Sequence, residues 1–396
     1  MKENNYRWTI LGLVYMCQFS FALVFQSVPP ILRLIVDEFK ITQAQAGLLM
    51  SLFALPGILL SIPGGMICDR FGAKNLGFAS LSLMILGTSV MGLSNSFALI
   101  AFARAVSGIG GALMAVILPQ LISRWFMHRE LGTAMGVFNT AMPLGTITSF
   151  NVLSIVGATW GWRTSIFLTT VMSIGAFLIF LSLFRDPEPQ PRRLQTSALS
   201  TLLKIGKPIW LVGLTWLLFN ASSISFLTFA PAIFMIKGYE ITSASSLTSI
   251  VMMGPLFLSP FIGYFAKKFE REELFILVGG LSLAVLTFSF SIINLPILII
   301  VLIALFTALV PSPVFSLPSK VVKPENLGLA FGITTTCSNM GILIGPYLAG
   351  LAKDLTGEYI HSLYLMSTFN MLQAMAILML HFMRSKAHPV SLTAKA

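Results

Sequence analysis

A chain of 396 residues that is 56% hydrophobic and only 10% charged, with a mean hydropathy of +0.87, lies far from soluble composition, where about a quarter of residues are charged. Its apolar surface must face lipid, and backbone groups in hydrocarbon need internal partners, so only helices or a closed barrel can span it. The net charge of +11 is carried by short basic clusters between apolar runs, a topology signal that excludes a nucleic-acid-binding surface as its meaning.

Continuous apolar runs such as Leu76 to Leu93 choose helices over the alternating segments of a barrel. Breaks at charges and at Gly, Pro and Asn clusters divide the chain into twelve expected helices, at about 8–36, 44–67, 75–93, 97–123, 131–158, 163–184, 207–236, 243–266, 273–293, 296–320, 327–352 and 361–383. The first is expected to be retained, since no cleavage-site pattern follows it. Both termini are placed in the cytoplasm of a multi-pass plasma or inner-membrane protein. This choice leaves only Arg33, Lys40, Arg163, Lys237 and Lys353 outside, with Arg104 inside the membrane. Three prolines between Arg185 and Arg192 stop the sixth helix and begin an extended linker. The expected division is a six-helix bundle over 1–184, a cytoplasmic linker over 185–206 and a second bundle over 207–396. The three cysteines, Cys17, Cys68 and Cys337, have no paired spacing, so neither a disulfide nor a metal site is expected, and no cofactor is called for.

The two halves repeat each other. Phe39-Lys-Ile-Thr42 returns as Tyr239-Glu-Ile-Thr242, Leu131-Gly-Thr-Ala-Met-Gly136 returns as Leu327-Gly-Leu-Ala-Phe-Gly332, and Pro30, Pro56 and Pro63 correspond to Pro231, Pro255 and Pro260. Between the second and third apolar runs lies Gly65-Met-Ile-Cys-Asp69-Arg70-Phe-Gly72-Ala-Lys74, which reads as a tight turn pinned by charge. The fourth run carries Arg104-Ala-Val-Ser-Gly108-Ile-Gly110, and Gly161-Trp162-Arg163 precedes the sixth. These motifs and the parallel repeat resemble those of the major facilitator superfamily of transporters. The resemblance implies an all-helical fold of twelve transmembrane helices in two pseudo-symmetric bundles, with a solute site between them. The second-half counterpart, Gly263 to Glu270, lacks the Asp and the second Gly, and the antiporter motif of the fifth helix is only partial at Met142-Pro143-Leu-Gly145.

Catalysis is not expected, because no phosphate-binding loop, His-rich cluster or nucleophile elbow occurs. Arg104, about eight residues into its helix, either attracts an anionic solute or is held by carbonyls of the first helix. In the first helix Tyr15, Gln18, Ala22 and Gln26 share one stripe, which is expected to line the cavity, although Gln18 and Gln26 could instead bond between helices. Asn139, Trp216, Asn220 and Asn339 complete the expected substrate-binding set. Gly65, Asp69, Arg70, Gly72 and Lys74 form the expected gate, with Asp69 accepting from amides at the start of the eleventh helix when the cytoplasmic side is closed. Arg33 pairs with Asp37 four residues on. Gly108, Gly110, Gly111, Gly132, Gly136, Gly341, Gly345 and Gly350 read as packing surfaces, and Pro143 and Pro346 as kinks.

All fourteen acidic residues fall in loops or at helix ends, as do the four histidines, so no buried titrating carboxylate is expected to drive proton coupling. An intramembrane cation without an acidic partner favours an anionic solute. The reading is therefore a monomeric secondary-type carrier in the lipid bilayer that moves a small organic anion by alternating access. Export of amphipathic drugs or a receptor without turnover are the alternatives.

Overall fold

Among the described residues of the computed structural model, twelve helices are long and apolar enough to cross a membrane: α1 Tyr6–Phe39, α2 Gln43–Leu60, α3 Ala73–Leu93, α4 Phe97–Trp125, α5 Leu131–Trp160, α6 Trp162–Leu183, α7 Lys207–Ile236, α8 Ile241–Lys268, α9 Glu272–Ile292, α10 Pro296–Ser316, α11 Leu327–Thr356 and α12 Tyr359–Arg384. The structure describes residues 2–126, 130–184, 205–323 and 326–387, with side chains described among these except at 2–5, 65, 66, 69 and 385–387. No strand occurs among the described residues. Most of the expected linker, residues 185–204, lies outside them.

Local chemistry sets the helix ends. Thr42 opens α2 with a reciprocal capping box: its hydroxyl accepts from the Gln45 amide, and the Gln45 side chain accepts from the Thr42 amide. Ser96 caps α4 by accepting from the Leu99 amide. Gly161, at φ +86°, turns the chain tightly between α5 and α6, a backbone conformation that a side chain would strain.

Several spans are irregular where the sequence predicts it least. Span α1 breaks after Phe25, passes through a 3-10 turn at Pro29–Ile31 and resumes as Leu32–Phe39. Span α5 contains a π-turn at Ser149–Leu153, and α8 a 3-10 turn at Ile250–Met252. The stretch Gly64–Phe71, expected to end the second helix and begin a loop, is instead a separate short helix after a turn at 61–63. Only Gly72, at φ +79°, makes the tight turn. Proline at 63 explains the break, since it cannot continue an existing ladder but fits just before a new helix start.

The starts of the odd-numbered spans and the ends of the even-numbered ones lie at one end of the molecule, termed here the near end, and the loops after α1, α3, α5, α7, α9 and α11 at the far end. Within each set of six spans, charges tie neighbouring helices at these ends. Glu38 receives both Arg163 guanidinium nitrogens, at 2.7 and 2.9 Å, and the Trp162 indole N–H at 2.7 Å. At the near end Arg7 meets Glu130, Lys320 meets the buried Glu272 at 2.7 Å, and Glu273 takes His381 and Arg384. Arg33 and Asp37 form the expected i,i+4 pair at 2.8 Å with both side chains about half exposed. Elsewhere the outer surface is apolar, with Leu93, Phe257, Phe261, Val285 and Met379 among the exposed side chains, as lipid contact requires.

Candidate functional site

The site expected between the first and last six spans is bounded by two seams, α2 against α11 and α5 against α8. Along the first, small residues let backbone meet backbone. A Cβ on Gly47 would stand 2.1 Å from the Pro346 carbonyl oxygen, one on Gly350 would stand 2.1 Å from the Gln43 carbonyl, and one on Gly57 would strike the Asn339 side chain at 2.6 Å. Asn339, half-buried in mid-span, donates to the Ser61 hydroxyl at 3.3 Å and to the Thr335 carbonyl at 3.1 Å, which joins α11 to the end of α2. At the far end the Asp354 carboxylate accepts from the Gln43 and Ala44 amides at 2.9 and 2.7 Å, and Tyr359 donates to the Gln43 side chain at 2.9 Å.

The second seam is lighter. Asn151, inside the π-turn of α5, donates to the Ser249 hydroxyl of α8 at 3.1 Å. Toward the near end Gly132 and Gly136 of α5, expected to be packing surfaces, have nothing within 4 Å of where a Cβ would stand. Asn139, on the same stripe as these glycines, is exposed. At the far end, by contrast, the space bounded by Pro29, Pro30, Arg33, Gln43, Pro231 and Tyr359 is about 20 Å³, room for a single water. The far end is therefore closed, while α5 keeps open space beside it at the near end.

Arg104 is 1% exposed and takes the carbonyl-held alternative. Its Nε donates to the Leu49 carbonyl at 3.0 Å, Nη1 to Val24 at 2.8 Å and Nη2 to Phe25 at 3.0 Å, with the Met50 sulfur 3.6 Å away. The guanidinium also lies 4.6 Å from the Phe53 ring centre. Val24 and Phe25 end the first helical segment of α1, where the regular ladder breaks; the Val24 carbonyl also accepts from the Ser27 amide at 3.4 Å and the Ser27 hydroxyl at 2.9 Å. The cation caps that C-terminus from a neighbouring helix, with the sign the helix dipole favours. With four of its five N–H directions engaged, Arg104 has no free fork to offer in this conformation.

The stripe of α1 divides. Tyr15 lies 3.4 Å from the Thr140 hydroxyl of α5, which donates to it. Gln18 is half-buried, and its carbonyl oxygen is buried without a partner. Ala22 is the close-packing point, where a Cβ on Gly145 would fall 2.5 Å from its own Cβ. Gln26 is 1% exposed with its side-chain oxygen unpartnered, and its backbone carbonyl accepts from Ser149 at 2.7 Å. In α7, Trp216 stacks on Phe219 at 5.1 Å and meets the edge of Phe315 at 5.2 Å, while Asn220 donates to the Trp216 carbonyl at 2.8 Å. Asn220 thus engages its own helix through Nδ2, and Trp216 belongs to an aromatic cluster of α7 and α10.

Of the gate residues, the side chain of Asp69 lies outside those described, and with it the contact expected with α11. Arg70 is exposed with its guanidinium 5.5 Å from the Phe71 ring centre, and Lys74 is exposed. Asp354, Tyr359, Ser61, Asn151 and Ser249 were missed by sequence reasoning. Their signal was faint: a terminal acid after a Gly-rich helix, and polar residues opposite the small-residue stripes.

Comparison with known proteins agrees with this architecture. The family model described as Major Facilitator Superfamily matches residues 14–346 and 237–395. A probable sulfoacetate transporter of Cupriavidus necator, SauU, is 22% identical over 383 residues, covering 89% of this chain and 89% of that protein. The lysosomal dipeptide transporter MFSD1 of Danio rerio is 23% identical, covering 89% of this chain and 82% of its own, and the hexuronate transporter of Bacillus subtilis is 23% identical, covering 82% and 83%. The crystal structure of the nucleoside transporter NupG, in a single-residue mutant form, superposes with a TM-score of 0.80 at 12% identity, covering 94% of this chain and 99% of that one. Its fold is the same arrangement of twelve transmembrane helices in two six-helix bundles. The chain belongs to the Major Facilitator Superfamily and is a multi-pass membrane transporter of small solutes.

Proposed function

We propose that the chain moves a small organic anion, a carboxylate or sulfonate, by alternating access between two rocking bundles, residues 1–184 and 207–396, tethered by 185–206. The near end is the cytoplasmic one, because Arg7, Arg70, Lys74, Lys207, Lys267, Lys268, Arg271, Lys320, Lys323 and Arg384 gather there against five basic residues at the far end. The far end then faces outward, and the conformation with closed far end is an inward-facing one. One chain contains the whole path, so a monomer suffices.

The observation that carries the anion reading is a polar lining without carboxylates. Among the described side chains every Asp and Glu stands at a helix end, while Tyr15, Gln18, Asn139, Thr140, Thr336 and Asn339 offer neutral hydrogen-bonding groups along α1, α5 and α11. A cationic solute would find no counter-charge there. Arg104 contributes from a distance: held by carbonyls rather than by an acid, its charge keeps a positive potential in a low-dielectric surround and acts through Val24 and Phe25 on the shape of α1. Two relatives, a probable sulfoacetate transporter and a hexuronate transporter, support the same class of solute. At the near end Gly65, Asp69, Arg70, Gly72 and Lys74 are proposed as the gate that closes when the far end opens.

The test is a thermal-shift screen of purified protein against carboxylates, sulfonates, nucleosides, dipeptides and cationic dyes, followed by counterflow in proteoliposomes. A true solute at about 100 times its dissociation constant raises stability by about 2.7 kcal/mol. Stabilisation by anions, counterflow of the same compounds and weakening of both in Gln18→Leu support the reading. Stabilisation by neutral or cationic compounds alone overturns it.

A further inference from the structure

The start of α2 is capped from two sources. Its own box, Thr42 with Gln45, serves the Thr42 and Gln45 amides, while the next two donors, Gln43 and Ala44, are served by Asp354 from the last turn of α11 in the other bundle. The two carboxylate oxygens divide these amides, one each, at 2.9 and 2.7 Å, and the positive end of the α2 dipole favours the charge. Around this contact the chain clears space: Gly350 lies one turn earlier on α11 against the Gln43 carbonyl, and Gly47 lies one turn later on α2 against Pro346. Tyr359 adds a neutral hydrogen bond to the Gln43 side chain. The ion pairs named above, Arg7–Glu130, Arg33–Asp37, Glu38–Arg163, Lys320–Glu272 and Glu273 with His381 and Arg384, each stay within one bundle and survive any rocking of bundles against each other.

We propose that Asp354 is the far-end latch, a charge that one bundle inserts into the helix start of the other and withdraws in each transport cycle. Release is cheap in structure because the Thr42–Gln45 box keeps α2 helical by itself, so the Gln43 and Ala44 amides pass to water without unravelling the turn. Removal of the charge therefore shifts the equilibrium toward the far-open state instead of unfolding the protein. The latch rests on the alternating-access reading and not on the identity of the solute.

The experiment measures conformation without any solute, so its outcome is read separately from the anion screen. Protein in nanodiscs, carrying Cys17→Ala, Cys68→Ala and Cys337→Ala, receives one reporter, either Thr228→Cys, at a buried α7 position that lines the small far-end space, or Gly132→Cys in the near-end space, and reacts with a charged maleimide accessible to both faces. In Asp354→Asn the far-end reporter is expected to react roughly tenfold faster and the near-end reporter more slowly, as loss of a charge-assisted contact worth one power of ten requires. Tyr359→Phe, which removes a neutral bond, is expected to shift the same rates by about threefold or less. Unchanged rates at both reporters in Asp354→Asn overturn the latch. An equal rise at both overturns it as well, since that marks a structural brace and not a choice between two states.

Discussion

Along the α2–α11 seam, glycine meets backbone at two places, a side-chain amide bridges in mid-span, and a carboxylate crosses at the far end. Along the α5–α8 seam one neutral hydrogen bond, Asn151 to Ser249, holds the far end, and Gly132 and Gly136 face open space toward the near end. The contrast teaches that a pseudo-symmetric carrier need not share the work of closure equally. In this conformation the first seam is the zipped edge, while the second leaves open space beside α5 toward the near end.

Three substitutions would break or sharpen this contrast. Gly47→Leu should have the largest effect: its Cβ alone would press 2.1 Å from the Pro346 carbonyl, and overpacking of this kind costs about 1–3 kcal/mol, so counterflow should fall more than tenfold with insertion preserved. Normal flux in that variant would remove the zipped-edge reading. Ser249→Ala, on the lighter seam, should weaken far-end closure by about 1 kcal/mol, the net worth of one neutral hydrogen bond, seen as a modest rise in labelling of the far-end reporter. Gly132→Ala should leave flux unchanged and stability within about 0.5 kcal/mol or slightly raised, since the methyl enters open space and alanine favours the helix. A flux loss there as large as that of Gly47→Leu would mean that α5 closes on a partner during the cycle as tightly as α2 does.

Much of the fold was legible because hydrocarbon leaves few choices. Twelve apolar runs bounded by charge, proline and glycine gave spans whose ends fall near the observed ones, as at Phe97, Leu131 and Lys207. The break of α1 at Gln26 and the separate helix Gly64–Phe71 escaped, since each depends on partners far along the chain or on proline placement whose outcome local propensity does not settle. The site was less legible for the same reason. Arg104 announced itself as a buried cation, yet only the packed helices show which carbonyls hold it. Gly108, Gly341 and Gly345 do pack against backbone, since a Cβ on each would stand 2.1 to 2.3 Å from the Phe53, Leu217 and Ala221 carbonyl oxygens, whereas Gly132 shares their sequence look and packs on nothing. Asp354 looked like any terminal acid because a cap supplied from 310 residues away leaves no local pattern.

The cap that Arg104 places on Val24 and Phe25 has a consequence for motion. An ordinary helix bends at a break because its loose carbonyls can turn toward whatever donor is nearest, and the angle wanders. Here a planar cation grips two such carbonyls on α1 and a third, from Leu49, on α2, so the elbow has a fixed pivot shared with its neighbour. The forearm Leu32–Phe39, braced through Glu38 to Arg163, is thereby tied to α2 and α6, and on the proposed alternating-access reading whatever tilts that bundle carries the far-end doorway along with it.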